Sequence, residues 1–194
     1  MVAALFIIDV QNDFTEGGAL GVDGGAAVAG KITDYLREHS DRYDVVIASR
    51  DWHDAGNDNG GHFATDAEPN FVDTWPVHCV AGTPGAQYHP ALDNALVGVH
   101  VRKGQGVPAY SIFEGTTVDG EAVPALLTRL GVDTIDVCGI ATDYCVLASA
   151  LDAADSGREV SVRTGLIAGV APESSTAALD TMAQAGIVLV PGDA

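Results

Sequence analysis

The chain has 194 residues, of which 27 are acidic and nine are lysine or arginine, giving a formal net charge of −18. That length suits one domain with a sizeable core, expected over residues 1–194, and the charge disfavours phosphate backbones and anionic bilayers, so neither nucleic acid nor membrane is expected as a partner. Three widely spaced cysteines make no disulfide framework, and the setting they predict is a reducing cytoplasm.

The N-terminal run Val2–Ile8 is too short to cross a bilayer, lacks a basic flank and stops at Asp9, so it reads as a strand. A helix is expected over 26–38, then a strand over 45–49. Residues 57–74, rich in Gly, Asp and Asn, form the one long irregular stretch, and such loops in compact domains are usually functional. A strand over 96–101, a helix over 120–129, a strand over 134–138 and a helix over 143–156 follow, then a strand over 159–162. The last helix opens on Pro172–Glu173, a favoured start, closes at Gln184 before Gly186, and leads to a strand over 187–190. This alternation predicts an α/β fold: a doubly wound sheet of about six parallel strands with helices on both faces, in a single domain.

The polar residues fall at the carboxyl ends of these strands. Asp9 follows the first, Asp51 and His53 the second, Lys103 the third, and the turn leading to Cys145 the fourth. In a parallel sheet those ends share one edge, so groups far apart in sequence converge on one crevice. Lys103 stands out because the chain has only one other lysine, Lys31.

Cys145 sits one turn beyond an apolar strand, where unpaired N–H groups and the helix dipole favour a thiolate. Asp9, Lys103 and Cys145 together suit acyl transfer. The carboxylate takes the thiol proton and returns it to a leaving amine, the ammonium keeps thiolate and carboxylate charged, and the N–H groups of Ala141 and Cys145 face the substrate oxygen. No G-x-S-x-G elbow supports a serine alternative.

A second constellation lies beside the first. In Asp51-Trp52-His53 an extended backbone turns residues i and i+2 to one side, and His62 and His78 close on them from the loop. One oxygen and three nitrogens suit a catalytic or substrate-binding Zn, Fe or Mn ion better than a closed structural zinc. His39, His89 and His100 lack such company and read as structural or solvated. The Gly104-Gln-Gly106 run imitates a dinucleotide fingerprint but is broken by Pro108, and the Asn57–Gly60 cluster fails the register of a calcium loop. Cys138 reads as core, and Cys79 as pointing away from the ion.

The segments Val10-Gln11-Asn12-Asp13-Phe14 after Asp9, Asp51-Trp52-His53, Trp75-Pro76-Val77-His78-Cys79, Lys103-Gly104, Tyr110-Ser111-Ile112-Phe113-Glu114-Gly115 and Gly139-Ile140-Ala141-Thr142-Asp143-Tyr144-Cys145 resemble the nicotinamidases of the isochorismatase-like cysteine hydrolase superfamily. The likeness spans nearly the whole chain. It implies hydrolysis of nicotinamide to nicotinate and ammonia, often with pyrazinamide as a further substrate, and a cis peptide at Ile140-Ala141 shaping the oxyanion hole. It further implies that Phe14, Trp75, Tyr110 and Ile140 contact the aromatic ring and that the pyridine nitrogen meets the metal. A carbamoyl or ureido amidohydrolase with the same Asp, Lys and Cys would be expected to lack the metal quartet and to recognise anionic substrates through arginines. A metal-binding protein without turnover, or a fold used for association alone, would not require Cys145.

Overall fold

The computed structural model describes residues 1–39 and 41–191, so Ser40 and residues 192–194 of the expected domain lie outside the described residues. Among the described residues, seven strands form one sheet in the order β4-β3-β2-β1-β5-β6-β7. They are β1 (Val2–Ile8), β2 (Val45–Asp51), β3 (Val99–Lys103), β4 (Thr116–Thr117), β5 (Val132–Ile140), β6 (Glu159–Ala168) and β7 (Val188–Val190). All pairings are parallel except β3 with the two-residue edge strand β4. The six parallel strands are those the sequence predicts; the antiparallel edge is an addition too short to carry a pattern. The third strand starts later than expected because residues Asn94–Leu96 form a tight turn, with the Asp93 carboxylate accepting from the Ala95 N–H at 3.3 Å.

Helix α1 (Gly25–Glu38) covers one face, burying Val28, Ala29, Ile32 and Leu36 at helical spacing against Leu5, Ile7 and Cys138. Burying each of its larger aliphatic side chains is worth about 1.5–3 kcal/mol. Helices α2 (Val123–Leu130), α3 (Leu147–Asp155) and α4 (Pro172–Gln184) cover the other face, where Leu126, Leu127, Ala150 and Met182 join Phe6, Ile8 and Val137. No helix among the described residues is long and apolar enough to cross a membrane.

The chain runs outward from β1 through β2 and β3, then returns to the other side of β1 with β5. The sheet therefore reverses its winding between β1 and β5, and the crevice at the carboxyl ends of those two strands is where such folds seat ligands. Two local features shape the edge of this crevice. Gly139 has φ +116, and a Cβ there would lie 2.6 Å from the Ile8 nitrogen, so only glycine lets β5 approach β1 so closely. Beyond β5, residues Thr142–Val146 form a π-helical turn ahead of α3, in place of the continuous helix expected over 143–156. Such turns recur at functional sites because they redirect side chains and free backbone donors.

Candidate active site

Asp9, Lys103 and Cys145 meet at this crevice. Lys103, the last residue of β3, is almost wholly buried, and its ammonium lies 2.9 Å from Asp9 Oδ2, 3.8 Å from Cys145 Sγ and 3.3 Å from the Ala109 carbonyl. It also pairs closely with Asp51 Oδ1. Asp9 adopts a left-handed backbone conformation, φ +46, uncommon for a residue with a side chain. Ser49 Oγ donates to its Oδ1 at 2.7 Å and accepts from its N–H at 3.3 Å, fixing the carboxylate. Oδ2 takes the ammonium contact and, having two lone pairs, can still accept a further hydrogen.

One buried cation thus serves three acids. Taking an ion out of water costs several kcal/mol, and a pair about 4 Å apart regains about 4 kcal/mol at an effective dielectric of 20, so one ammonium can sustain one carboxylate but not three anions. The proton affinities divide accordingly. Burial would raise Asp51, but the Lys103 ammonium holds it well below the usual carboxylate range. Burial raises Asp9 despite Lys103, with Asp51 adding to the rise. Burial opposes the Lys103 charge, yet Asp51 and Asp9 carry it well above the usual lysine range.

Burial also pushes the Cys145 thiol well up, against Lys103, and Asp9 and Asp51 push it further, with Asp9 near enough to accept its hydrogen. The expectation of a standing thiolate at this turn is therefore corrected. The helix-end donors do not offset burial beside two carboxylates, so the sulfur favours its thiol form, facing Asp9.

The turn that carries the sulfur closes on one carbonyl. The amides of Tyr144 and Val146 both close on the Ala141 carbonyl at 3.1 Å, whereas that of Cys145 between them does not. The Ala141 N–H has no acceptor among the turn and loop hydrogen bonds of the described residues. The Ile140-Ala141 peptide that places it is cis.

Next to this trio, nitrogen atoms of His53, His62 and His78 lie within 4.8 Å of one another, all three residues being buried. His53 Nδ1 bonds the Gly104 carbonyl and His78 Nδ1 the Pro76 carbonyl, each at 2.7 Å. A carbonyl partner assigns the hydrogen to Nδ1 and leaves the neutral ring a bare Nε2, the usual device for orienting a ligand histidine. Both Nε2 atoms face Asp51 Oδ2, at 3.7 and 3.8 Å, and His53 Nε2 and His62 Nδ1 are buried without a hydrogen-bond partner. Burial, with His53 and His78 nearby, lowers His62 to about 4, so it is neutral at ordinary pH. Three lone-pair nitrogens and a carboxylate oxygen, two of the nitrogens otherwise orphaned, fit a divalent cation.

Cys145, Asp51, His62 and His78 line a cavity of about 400 Å³. Phe14, Trp75 and Tyr110 line it as expected, and Trp75 Nε1 donates to the Tyr110 hydroxyl at 2.9 Å. Ile140 does not line it. Its side chain is fully buried in the cluster beneath α1, its Cδ1 packed toward Gly25, because it is a strand residue turned to the opposite face. Tyr144 takes a wall position instead, edge-on to Trp75 at 5.2 Å and stacked near Tyr110 at 6.3 Å. The sequence leaves its role open, although an aromatic residue adjoining the candidate nucleophile is a usable signal. Ser49 and Gln11, whose side-chain amide brackets the Asp51 backbone at 2.8 and 2.9 Å, were also missed as supports. Cys79 and Cys138 are buried and outside the ligand cluster, and burial raises both thiols.

The Isochorismatase domain family matches residues 3–193. The chain belongs to that family. It is 46% identical to the nicotinamidase/pyrazinamidase of Mycobacterium tuberculosis, over 96% of this chain and 97% of the relative. It is 36% identical to the nicotinamidase of Escherichia coli, over 96% of this chain and 93% of the relative. Among solved structures it resembles the pyrazinamidase of Pyrococcus horikoshii in complex with zinc, with TM-score 0.83 and 36% identity over 98% of this chain and 99% of that one. It also resembles PnC1 from L. infantum in complex with nicotinate, with TM-score 0.83 and 32% identity over 98% and 92% of the two chains.

Proposed function

We propose that this chain is a metal-containing cysteine amidohydrolase that converts nicotinamide to nicotinate and ammonia, and that pyrazinamide is a further substrate. The observation that carries the reading is the Lys103 ammonium, buried within reach of Asp9, Asp51 and the Cys145 sulfur at the sheet's switch point. The relatives named nicotinamidase, and the neighbours solved with zinc and with nicotinate, support the substrate and the ion.

Asp9 accepts the thiol hydrogen as Cys145 Sγ bonds to the amide carbon. Its raised proton affinity and open Oδ2 lone pair suit it to hold that proton. The Ala141 and Cys145 N–H groups stabilise the oxyanion, a contribution on the order of a hundredfold to a thousandfold in rate for each such donor. Asp9 then protonates the amine, the C–N bond breaks, ammonia leaves and a thioester remains. In the second half Asp9 takes a proton from water, the hydroxyl bonds to the thioester carbon, and the C–S bond breaks to give the acid and the thiol. Throughout, Lys103 stays charged and limits the negative charge that builds on Asp9 and the sulfur.

Asp51, His53, His62 and His78 would hold the cation. When bound, it supplies an electrophilic anchor for a pyridine or pyrazine ring nitrogen. The slot between Phe14, Trp75, Tyr110 and Tyr144 offers flat apolar walls for such a ring. The deciding experiment is ammonia release from nicotinamide with elemental analysis of the same sample. Turnover with about one divalent ion per chain is expected, and metal-replete protein that releases no ammonia would refute the reading.

A further inference from the structure

We propose that the chain carries a second ligand site, for an oxyanion of the phosphate class, on the face of β2 and β3 turned away from the acyl-transfer groups. Side chains alternate along these strands, so Arg50 and Arg102 point opposite to Ser49, Asp51 and Lys103. On that face the outer sheet is covered by the connection around Tyr88, Leu92 and Leu96 rather than by a helix.

Arg50 and Arg102 are register partners on neighbouring strands, and both guanidinium groups stack on Trp52, at 4.7 and 4.4 Å from its ring centre. Arg50 also stacks on Tyr88 at 4.6 Å. In a chain with 27 acidic residues, neither arginine has a carboxylate partner among the described residues, whereas Arg37, Arg42, Arg129 and Arg163 each do. The Nε atoms of both are buried and lack an acceptor. Ring stacking satisfies the flat faces of a guanidinium and leaves its in-plane N–H groups unmet. Two adjacent cations and two orphaned donors are the complement of a missing anion.

The space for one adjoins Arg50. Arg50, Gln87, Tyr88, His89, Asn94 and His100 line a hollow of about 430 Å³. Arg50 is nine-tenths buried and anchored by its NH1 donating to Gln87 Oε1 at 3.2 Å. His89 Nδ1 accepts from the Ala91 N–H at 3.2 Å, which assigns the ring hydrogen to Nε2 and makes that nitrogen a donor. Donors from three chain segments suit a tetrahedral oxyanion better than a flat carboxylate. Because Trp52 lies between Asp51 and His53, an anion seated here relieves the repulsion of the two guanidinium groups beside the strand end that carries two of the metal-cluster residues.

The test titrates sodium phosphate, against sodium chloride at equal ionic strength, into the protein as purified, read by tryptophan emission and thermal melting. A saturable response to phosphate alone is expected, weakened at least tenfold in Arg102→Gln. It should weaken equally in Asn94→Glu, an exposed rim change that leaves the stack untouched and so separates loss of the site from loss of fold. Adenosine monophosphate in a parallel arm distinguishes a free ion from a phosphomonoester, and saturable binding of either supports the site. Equal responses to phosphate and chloride would overturn the proposal. So would phosphate binding that survives both variants and disappears in His53→Ala, since the ion would then sit on the metal cluster.

Discussion

The two halves of the candidate site are built differently. Asp9, Lys103 and Asp51 sit on or just beyond neighbouring parallel strands, and Cys145 on the turn after β5, so ladder hydrogen bonds fix their relative positions. His62 and His78 ride on an irregular loop, pinned by local contacts such as the Trp75 N–H to the His62 carbonyl at 2.9 Å. Bond-forming chemistry loses rate steeply with small misplacements, and the groups assigned to it are on the rigid sheet. A metal ion draws its own ligands to its preferred distances, so a loop suffices to deliver them. Asp51 joins the halves, giving one oxygen to Lys103 and turning the other toward the histidines.

The sheet-borne half should fail completely when broken. Cys145→Ala is expected to lower kcat on the order of 10⁴-fold or more while leaving bound metal and melting temperature near those of the parent. Near-normal ammonia release in that variant would remove the sulfur as nucleophile. Asp9→Asn should come next, at about 10²- to 10⁴-fold, because the amide keeps the shape but not the proton acceptor. The measurement is rapid-quench detection of thioester, and normal acylation in the variant would show that another group takes the thiol proton.

The same division explains what the sequence discloses. A parallel sheet with charged residues at its strand ends dictates a shared edge, so Asp9, Asp51, Lys103 and Cys145 could be brought together without coordinates. Side-chain direction near a strand's end is harder to read. Ile140 turns beneath α1 rather than into the cavity because β5 runs through it in register with β6, with a shift between Val137 and Gly139. The neutral state of Cys145 was hidden because it depends on burial and on two carboxylates from other strands. Gly104 looked like part of a spurious nucleotide fingerprint. Its carbonyl in fact orients His53, a role that belongs to backbone geometry and leaves no residue pattern.

The metal-binding half should fail by degrees. His53→Ala is expected to lower bound metal by elemental analysis and to raise the nicotinamide KM, with melting temperature measured to separate ligand loss from unfolding. Unchanged metal content would dismantle the quartet. Gly104→Ala should act more mildly on the same ligand. Gly104 has φ +78, and a Cβ would sit 2.6 Å from His53 Cε1, so the ring must move. Metal affinity is expected to fall about ten- to a hundredfold, as when an outer-shell partner is lost. The left-handed backbone adds a stability cost of roughly 1–2 kcal/mol.

The smallest effect isolates His62. Its folded proton affinity, about 4, lies below the 6.5 of an unperturbed histidine, so between those values the unfolded chain binds the extra proton. The stability this group contributes is complete above about pH 6.5 and declines as pH falls toward 4. Metal-stripped protein should therefore melt progressively lower over that window, and His62→Ala should flatten this part of the profile while the steeper loss below pH 4, where the paired carboxylates take up protons, remains. If the slope between pH 6.5 and 4 is the same in parent and variant, His62 is not held neutral by burial among the other two histidines. The loop would then be open at that position, and the fourth ligand would have to be recruited by the ion itself.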